Sequence, residues 1–226
     1  MIERLDWLLK DNLKLLTNKT ILILGLGGVG GYSVEALARC GVKKLIIVDN
    51  DVIDKTNINR QIIALHSTIG FMKTELFEKR IYDINPSCEV VKINEFITKN
   101  NLDILFNYKI DYLIDACDTV ETKKEVIKHC LKNKIKFISS MGMAKRVSAS
   151  KIKISTLDKT QNDPLAKKMR VLFKKEKINS KIPVVYSDEL PLKSDKLGSI
   201  ITVSATAGIM CADYVINDML KGVKHE

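Results

Sequence analysis

The sequence predicts an α/β fold: a Rossmann-like, doubly wound, mostly parallel sheet with a C-terminal elaboration. Three observations lead there. Short apolar runs alternate with amphipathic stretches of helical length as far as about residue 140. The connections between them are short, as right-handed β-α-β crossovers require. The first apolar run opens onto a glycine cluster, Gly25-Leu-Gly-Gly-Val-Gly-Gly31, directly before a helical stretch.

Taken in order, residues 1–16 place Leu5, Leu8, Leu9, Leu13 and Leu16 at helical spacing and predict one amphipathic helix. Thr20–Leu24 reads as a buried strand. A helix is expected from about Tyr32 to Cys40, with Gly41 as its stop. Lys44–Val48 is a second strand that ends at Asp49. After a polar loop comes a helix from about Phe71 to Ile84, closed by Asn85-Pro86. Cys88–Ile93 is a strand, Leu102–Phe106 a short helix, and Asp111–Asp115 a strand. A helix near Thr122–Leu131 and a strand at Lys136–Ser139 complete the alternation.

Beyond Met141 the pattern changes. Lys151–Ser155 alternates polar and apolar residues, as a half-exposed strand does. Pro164–Lys175 reads as a basic helix, Val184–Ser187 as an edge strand, and Asp188–Leu197 as a polar, mobile segment. Val203–Leu220 is the closing apolar helix. Asp213 and Asp218 interrupt this run, so it reads as a buried helix rather than a membrane span. The chain is expected to form one domain over 1–226, with a nucleotide-binding core at 1–140 and a basic elaboration at 141–226. There are no repeats.

The chain has 226 residues, 46% of them apolar, enough for one well-buried core. No charge-free apolar stretch opens it, so no signal peptide is expected. The five cysteines (Cys40, Cys88, Cys117, Cys130 and Cys211) form no CxxC pair. That argues against a disulfide framework or a zinc site and fits a reducing cytoplasm. The net charge of +10 is concentrated. Residues 145–181 carry twelve Lys/Arg against three Asp/Glu, and the rest of the chain twenty-five against twenty-four. A phosphate backbone is one partner for such a segment; a solvated lysine-rich surface is the other reading.

Gly25, Gly27 and Gly30 match G-x-G-x-x-G between a strand and a helix, with Gly28 inside the same turn. Glycine lets a backbone approach phosphate oxygens, and a helix N-terminus offers free N–H groups. Asp49, at the end of the next strand, stands where an acidic side chain can take ribose hydroxyls. This much fits NAD as well as ATP. Arg60, Lys73 and Asp118 separate the two. They fall in loops or helix starts that a doubly wound sheet gathers at one crevice. Two cations and a carboxylate suit a triphosphate with Mg²⁺, whereas a dinucleotide has no use for them.

The motifs Gly25-Leu-Gly-Gly-Val-Gly30, Asp49-Asn-Asp51, Asn57-Ile-Asn-Arg-Gln61, Ile69-Gly-x-x-Lys73 and Asp115-Ala-Cys-Asp118 resemble those of the ubiquitin-activating-enzyme-like adenylating proteins, which include the molybdopterin and thiamine sulfur-carrier activators. The resemblance implies that Asp49 binds ribose, that Asn57, Arg60 and Lys73 contact phosphates, and that Asp118 holds Mg²⁺. It also implies a homodimer in which an N-terminal arginine, here Arg4, reaches the partner's ATP. A structural monovalent cation completes the implied cofactors.

The second half is similar to the tRNA threonylcarbamoyladenosine dehydratase branch. The similarity is carried by Ser139-Ser-Met-Gly142, Thr160 to Arg170, Val184-Val-Tyr-Ser187 with Glu189 and Pro191, and Gly198-Ser-Ile-Ile-Thr202. That branch implies ATP activation of the threonyl carboxylate of threonylcarbamoyl-adenosine in tRNA. The urea of the same group then attacks, with AMP and pyrophosphate leaving and net loss of water. Lys145, Arg146, Lys167, Lys168, Arg170, Lys174 and Lys175 become candidates for tRNA phosphates. A sulfur-transfer protein is a further partner the branch raises. Thr119 departs from the asparagine of the sulfur-carrier activators, and Gly142-Met-Ala-Lys145 is poorer in glycine than related dehydratases. The competing readings are a sulfur-carrier activator, an NAD-linked oxidoreductase and a non-catalytic nucleic-acid-binding protein. The absence of CxxC, the Arg60–Lys73–Asp118 set and the complete ATP motif weigh against each in turn.

Overall fold

The computed structural model describes residues 2–179 and 181–221. The first helical region is broken, not continuous. Helix α1 (Glu3–Leu9) meets a 3₁₀ turn at Lys10–Leu13 and then α2 (Lys14–Thr17). The break lies at Lys10, whose φ of +48° is left-handed. It divides the expected stripe. Leu9, Leu13 and Leu16 stay buried, while Leu8 is 76% exposed beside Trp7. Met1, the start of the expected helix, lies outside the described residues.

The sheet is built from β1 (Thr20–Leu24), β2 (Lys44–Val48), β3 (Glu89–Ile93), β4 (Tyr112–Asp115), β5 (Lys136–Ser140), β6 (Ile152–Thr156) and β7 (Pro183–Ser187). Its order is β3-β2-β1-β4-β5-β7-β6. Every pairing is parallel except β6 with β7. The sheet therefore runs unbroken from the first half of the chain into the second.

This order corrects one expectation. Val184–Ser187 is not an edge strand: β7 lies between β5 and β6, and Val184, Val185 and Tyr186 are buried. A continuous apolar run belongs to a strand covered on both faces. The edge is β6, where Ile152 is buried and Lys153 exposed as its alternation predicts, while Ile154, expected on the buried face, is exposed as well.

Helices cover both faces. Helices α3 (Gly30–Arg39), α4 (Lys73–Ile84) and α7 (Ile201–Met219) close one core with Leu37, Phe77, Ala207 and Cys211. On the other face α5 (Val120–Asn133) and α6 (Pro164–Lys175) bury Val126, Ile127, Met169 and Phe173. Truncating one of these to alanine costs about 2–5 kcal/mol. Helix α7 packs directly on the glycine turn: a Cβ on Gly208 would fall 2.2 Å from the Val29 carbonyl oxygen, and Ser33 Oγ donates to the Gly208 carbonyl at 2.8 Å. Among the described residues, no helix is long and apolar enough to cross a membrane.

The segment Asp188–Leu197, expected to be polar and mobile, is hydrogen-bonded to the loop at 145–148. The Glu189 carboxylate accepts from the Val147 and Ser148 amides, Leu192 N–H donates to the Lys145 carbonyl, and Lys145 N–H donates to that of Gly198. It forms a strap, and just past its far end the Ser199 carbonyl accepts from Asn59 Nδ2 at 2.8 Å.

Candidate active site

The chain leaves β1 for β2 on one side and returns to β4 on the other, so the carboxyl ends of β1, β2 and β4 frame a crevice. A cleft of about 490 Å³ opens there, lined by Gly25, Gly27, Gly28, Asp49, Asn57, Arg60, Lys73 and Asp118 among others. Side chains from four separate segments thus meet around the glycine turn.

The glycines have different tasks. Gly25 has a φ of +88°, and a Cβ there would lie 2.8 Å from the Ala116 carbonyl oxygen. The turn and its close approach to the β4 loop both demand glycine. Gly30 sits behind the turn, off the cleft wall, where a Cβ would overlap the Gly25 carbonyl. Gly27 is the open one: its nearest neighbour is Gln61 Nε2, 3.9 Å from where a Cβ would be. A ligand oxygen can approach that backbone. Gly28 is wedged against Ser204 of α7 and the Arg60 stem. Helix α3 starts without a side-chain cap; the Gly31 and Tyr32 N–H groups already donate to the Gly27 and Val29 carbonyls, so the helix offers an anion chiefly the positive end of its dipole.

Asp49 is only 9% exposed in its side chain and binds the protein itself. Oδ2 accepts from Leu26 N–H at 2.7 Å and Oδ1 from Asp51 N–H at 2.9 Å. Lys73, the first residue of α4 and 4% exposed, places Nζ 3.4 Å from Asp49 and 2.8 Å from Asp51. Asp49 therefore clamps the glycine turn to the end of β2 and holds Lys73 at the cleft. The Arg60 guanidinium donates to the Thr56 carbonyl and to Asn59 Oδ1. Asn57 Oδ1 accepts from Asp54 N–H, closing the 3₁₀ turn that carries Arg60 into place.

Asp118 is exposed in the cleft, and no side-chain hydrogen bond or ion pair engages it among the described residues. The residue preceding α5 is Thr119, so Asp118 does not cap that helix. Among the described residues no three His, Cys, Asp or Glu side chains converge. A metal here would be held by Asp118 together with phosphate oxygens, which is how Mg²⁺ usually binds.

Sequence reasoning left several residues unassigned. Gln61 is 7% exposed on the cleft wall, and its Oε1 has no partner. Its signal was its place in Asn57-Ile-Asn-Arg-Gln61. Glu95, Phe96, Ile97 and Thr122 form the opposite wall. Under the floor, Asp115 and Lys123 form an ion pair of 2.8 Å with both side chains fully buried. Lys123 had a readable signal: it falls on the apolar stripe of Val126, Ile127 and Cys130. Burial alone would depress Lys123, but the Asp115 charge overrides it and holds the ammonium above the ordinary lysine value.

No thiol here is a ready nucleophile. Burial, reinforced by the Asp115 charge, raises Cys117 well above the ordinary thiol value. Burial likewise raises Cys40, and pushes Cys88 to about 11 and Cys130 and Cys211 to about 12.

Arg4 does not meet its own cleft. Helix α1 packs with Cys40, Ile216 and Met219, and Ile2 touches Gly41 at the far end of α3. The basic segment divides as well. Arg146 is 3% exposed, donates to the carbonyls of Ala144 and Asn162, and lies 3.7 Å from the buried Asp163 carboxylate. Arg170 is half-buried and donates to Leu157 and Thr160. Both are internal ties rather than free phosphate contacts. Lys145 donates to the Ser194 carbonyl in the strap. Lys167, Lys168, Lys174 and Lys175 are exposed on α6.

Comparison with known proteins agrees with this geometry. The model of the ThiF family matches residues 3–221. The tRNA threonylcarbamoyladenosine dehydratase of Bacillus subtilis is 39% identical over 234 residues, covering 95% of this chain and 92% of that protein. The crystal structure of the E. coli tRNA N6-threonylcarbamoyladenosine dehydratase in complex with ATP superposes with a TM-score of 0.89 at 32% identity, covering 93% of this chain and 89% of that one. The same enzyme in complex with AMP gives 0.89 at 33%.

Proposed function

The chain belongs to the ThiF family, and we infer that it catalyses the ATP-dependent dehydration of threonylcarbamoyl-adenosine in tRNA. ATP adenylates the threonyl carboxylate and pyrophosphate leaves. The urea of the same group then attacks the activated carbon, AMP departs with one former carboxylate oxygen, and a ring closes. The net change to the nucleoside is loss of one water.

The observation that carries this reading is the meeting of Arg60, Lys73 and Asp118 with the open face of Gly27 in one cleft. The residues fit a nucleoside triphosphate and a metal: an open backbone at Gly27 for phosphate oxygens, a buried Gln61 Oε1 without a partner that can accept from a hydroxyl or amine of the nucleoside, two cations and one unengaged carboxylate. Arg60 and Lys73 would offset charge that builds on the α-phosphate during attack. Asn57 and the start of α3 would position the polyphosphate. Asp118 would hold Mg²⁺, which supplies further charge neutralisation when bound. No protein nucleophile is needed, because the attacking group belongs to the substrate; the raised thiols are consistent with that.

The tRNA would lie across α6, where Lys167, Lys168, Lys174 and Lys175 offer sequence-neutral charge. A homodimer would give Arg4 a role, since it lies away from the cleft of its own chain. A cytoplasmic setting suits a tRNA substrate and five unpaired cysteines. In the test, the purified protein receives ATP, Mg²⁺ and tRNA carrying threonylcarbamoyl-adenosine, and the digested nucleosides are weighed. We expect a nucleoside lighter by one water, and none from unmodified tRNA. ATP–pyrophosphate exchange driven instead by a Gly-Gly-ended carrier protein would favour the sulfur-carrier activators.

A further inference from the structure

Beneath the cleft floor lies a closed set of polar groups that the reaction scheme does not use. Asp115 ends β4, Ser139 pairs with it from β5, and Lys123 reaches in from α5; each is 0% exposed. The Lys123 ammonium directs its three donors to Asp115 Oδ2 at 2.8 Å, Ser139 Oγ at 3.1 Å and the Ser140 carbonyl at 2.9 Å. Asp115 Oδ2 also accepts from Ser139 Oγ at 2.6 Å. Its Oδ1 accepts from the Cys117 N–H at 3.2 Å and the Cys117 thiol at 3.0 Å. Every donor of the ammonium and both carboxylate oxygens are engaged.

Stability does not explain such a set. Each buried charge costs several kcal/mol in desolvation, and apolar residues of similar volume often serve a core as well or better. Position does explain it. The carboxylate grips the backbone at Cys117, one residue before Asp118. On the other side Ala116 N–H donates to the Leu24 carbonyl at 2.8 Å, and Gly25 presses against the Ala116 carbonyl. The turn is clamped between the glycine loop and α5. Asp118 has no side-chain partner among the described residues, so this backbone alone sets where its carboxylate stands.

We propose that Asp115 and Lys123 are a positioning pair whose buried hydrogen bonds fix the turn that presents Asp118 to the metal. The proposal rests on the reading of Asp118 as the metal-holding residue. Asp115 and Lys123 touch neither substrate nor metal. Their loss should therefore act on metal binding before it acts on ATP.

The test compares wild type with Lys123→Met, Asp115→Asn and the double variant Asp115→Leu/Lys123→Leu, beside Asp118→Asn. Mn²⁺ binding is measured by electron paramagnetic resonance with a non-hydrolysable ATP analogue, and hydrogen exchange is followed across 115–119. Lys123→Met and Asp115→Asn should weaken Mn²⁺ binding about 10-fold, the size expected when a supporting partner of a metal ligand is removed. Exchange at the Cys117 amide should quicken. The double variant carries no unpaired buried charge, so it covers the case in which the single variants fail to fold; it should fold and still bind Mn²⁺ weakly. Wild-type Mn²⁺ affinity in a folded Lys123→Met or double variant overturns the proposal. If Asp118→Asn itself keeps full Mn²⁺ affinity, the underlying reading of Asp118 fails instead.

Discussion

The two halves of the chain use charge in opposite ways. Before residue 140, Arg60, Lys73 and Asp118 come from distant points in the sequence and converge on one cleft. After it, a segment far richer in positive charge scatters. Arg146 and Arg170 turn inward to carbonyls and to Asp163, while Lys167, Lys168, Lys174 and Lys175 face outward along α6. Charge density along a sequence therefore says little about where charge acts. Spacing tied to strand ends says much more, because the topology of a doubly wound sheet brings those ends together.

The sharpest break in this contrast comes from removing the converging groups. Asp118→Ala and Arg60→Ala should each lower turnover by about 100- to 1,000-fold, the usual cost of one electrostatic contact to a developing charge, with unfolding temperature unchanged. Steady-state kinetics and calorimetry measure both. Near-normal turnover would mean that the first half does not converge on the chemistry.

In the second half the larger effect should fall on stability. Asp163 caps α6 through Ala166 N–H at 3.0 Å, accepts from Gly142 N–H and faces Arg146. Asp163→Ala would leave a buried guanidinium without its carboxylate and should cost about 3–5 kcal/mol by denaturant unfolding. A loss of tRNA binding with stability intact would instead return Arg146 to the surface.

How much of this was legible beforehand varies by region. Gly25, Asp49 and Asp118 could be placed because each follows directly or closely on a strand end, and Arg60 and Lys73 because the motif Asn57-Ile-Asn-Arg-Gln61 and the start of the next helix mark them. The break at Lys10 could not, since a single left-handed residue leaves no mark on apolar periodicity. The interior place of β7 was also hidden: strand order is a long-range choice, and a five-residue run carries only its burial. Arg146 and Arg170 read as surface charges because their acceptors, the carbonyls of Asn162 and Leu157, are brought near only by the fold.

Internal anchoring is not confined to the second half. Glu35 on α3 binds Arg80 of α4 at 2.6 Å and Arg39 at 2.7 Å. Burial would raise its carboxyl, but the two arginines outweigh it and hold Glu35 below the ordinary glutamate range. A depressed folded value adds stability above the unfolded value, which is lost as pH falls through the folded one. Glu35→Gln should therefore cost about 1–3 kcal/mol near neutrality and flatten the acid limb of the stability curve below about pH 4.5. An unchanged acid limb would remove this cluster from the account.

The smallest expected effect tests the outward lysines. Lys167→Ala with Lys168→Ala should weaken tRNA binding several-fold and lower the salt slope by about 1–2, with unfolding unchanged. An unaltered slope would move the RNA elsewhere.

The central claim is that the cleft adenylates a carboxylate, and oxygen tracing tests it most directly. The threonyl carboxylate of the modified tRNA is labelled with ¹⁸O, and the products of one turnover are weighed. Transfer of one ¹⁸O into AMP, with none in pyrophosphate, is the predicted result. Label released as water, or found in a phosphate other than that of AMP, would contradict it.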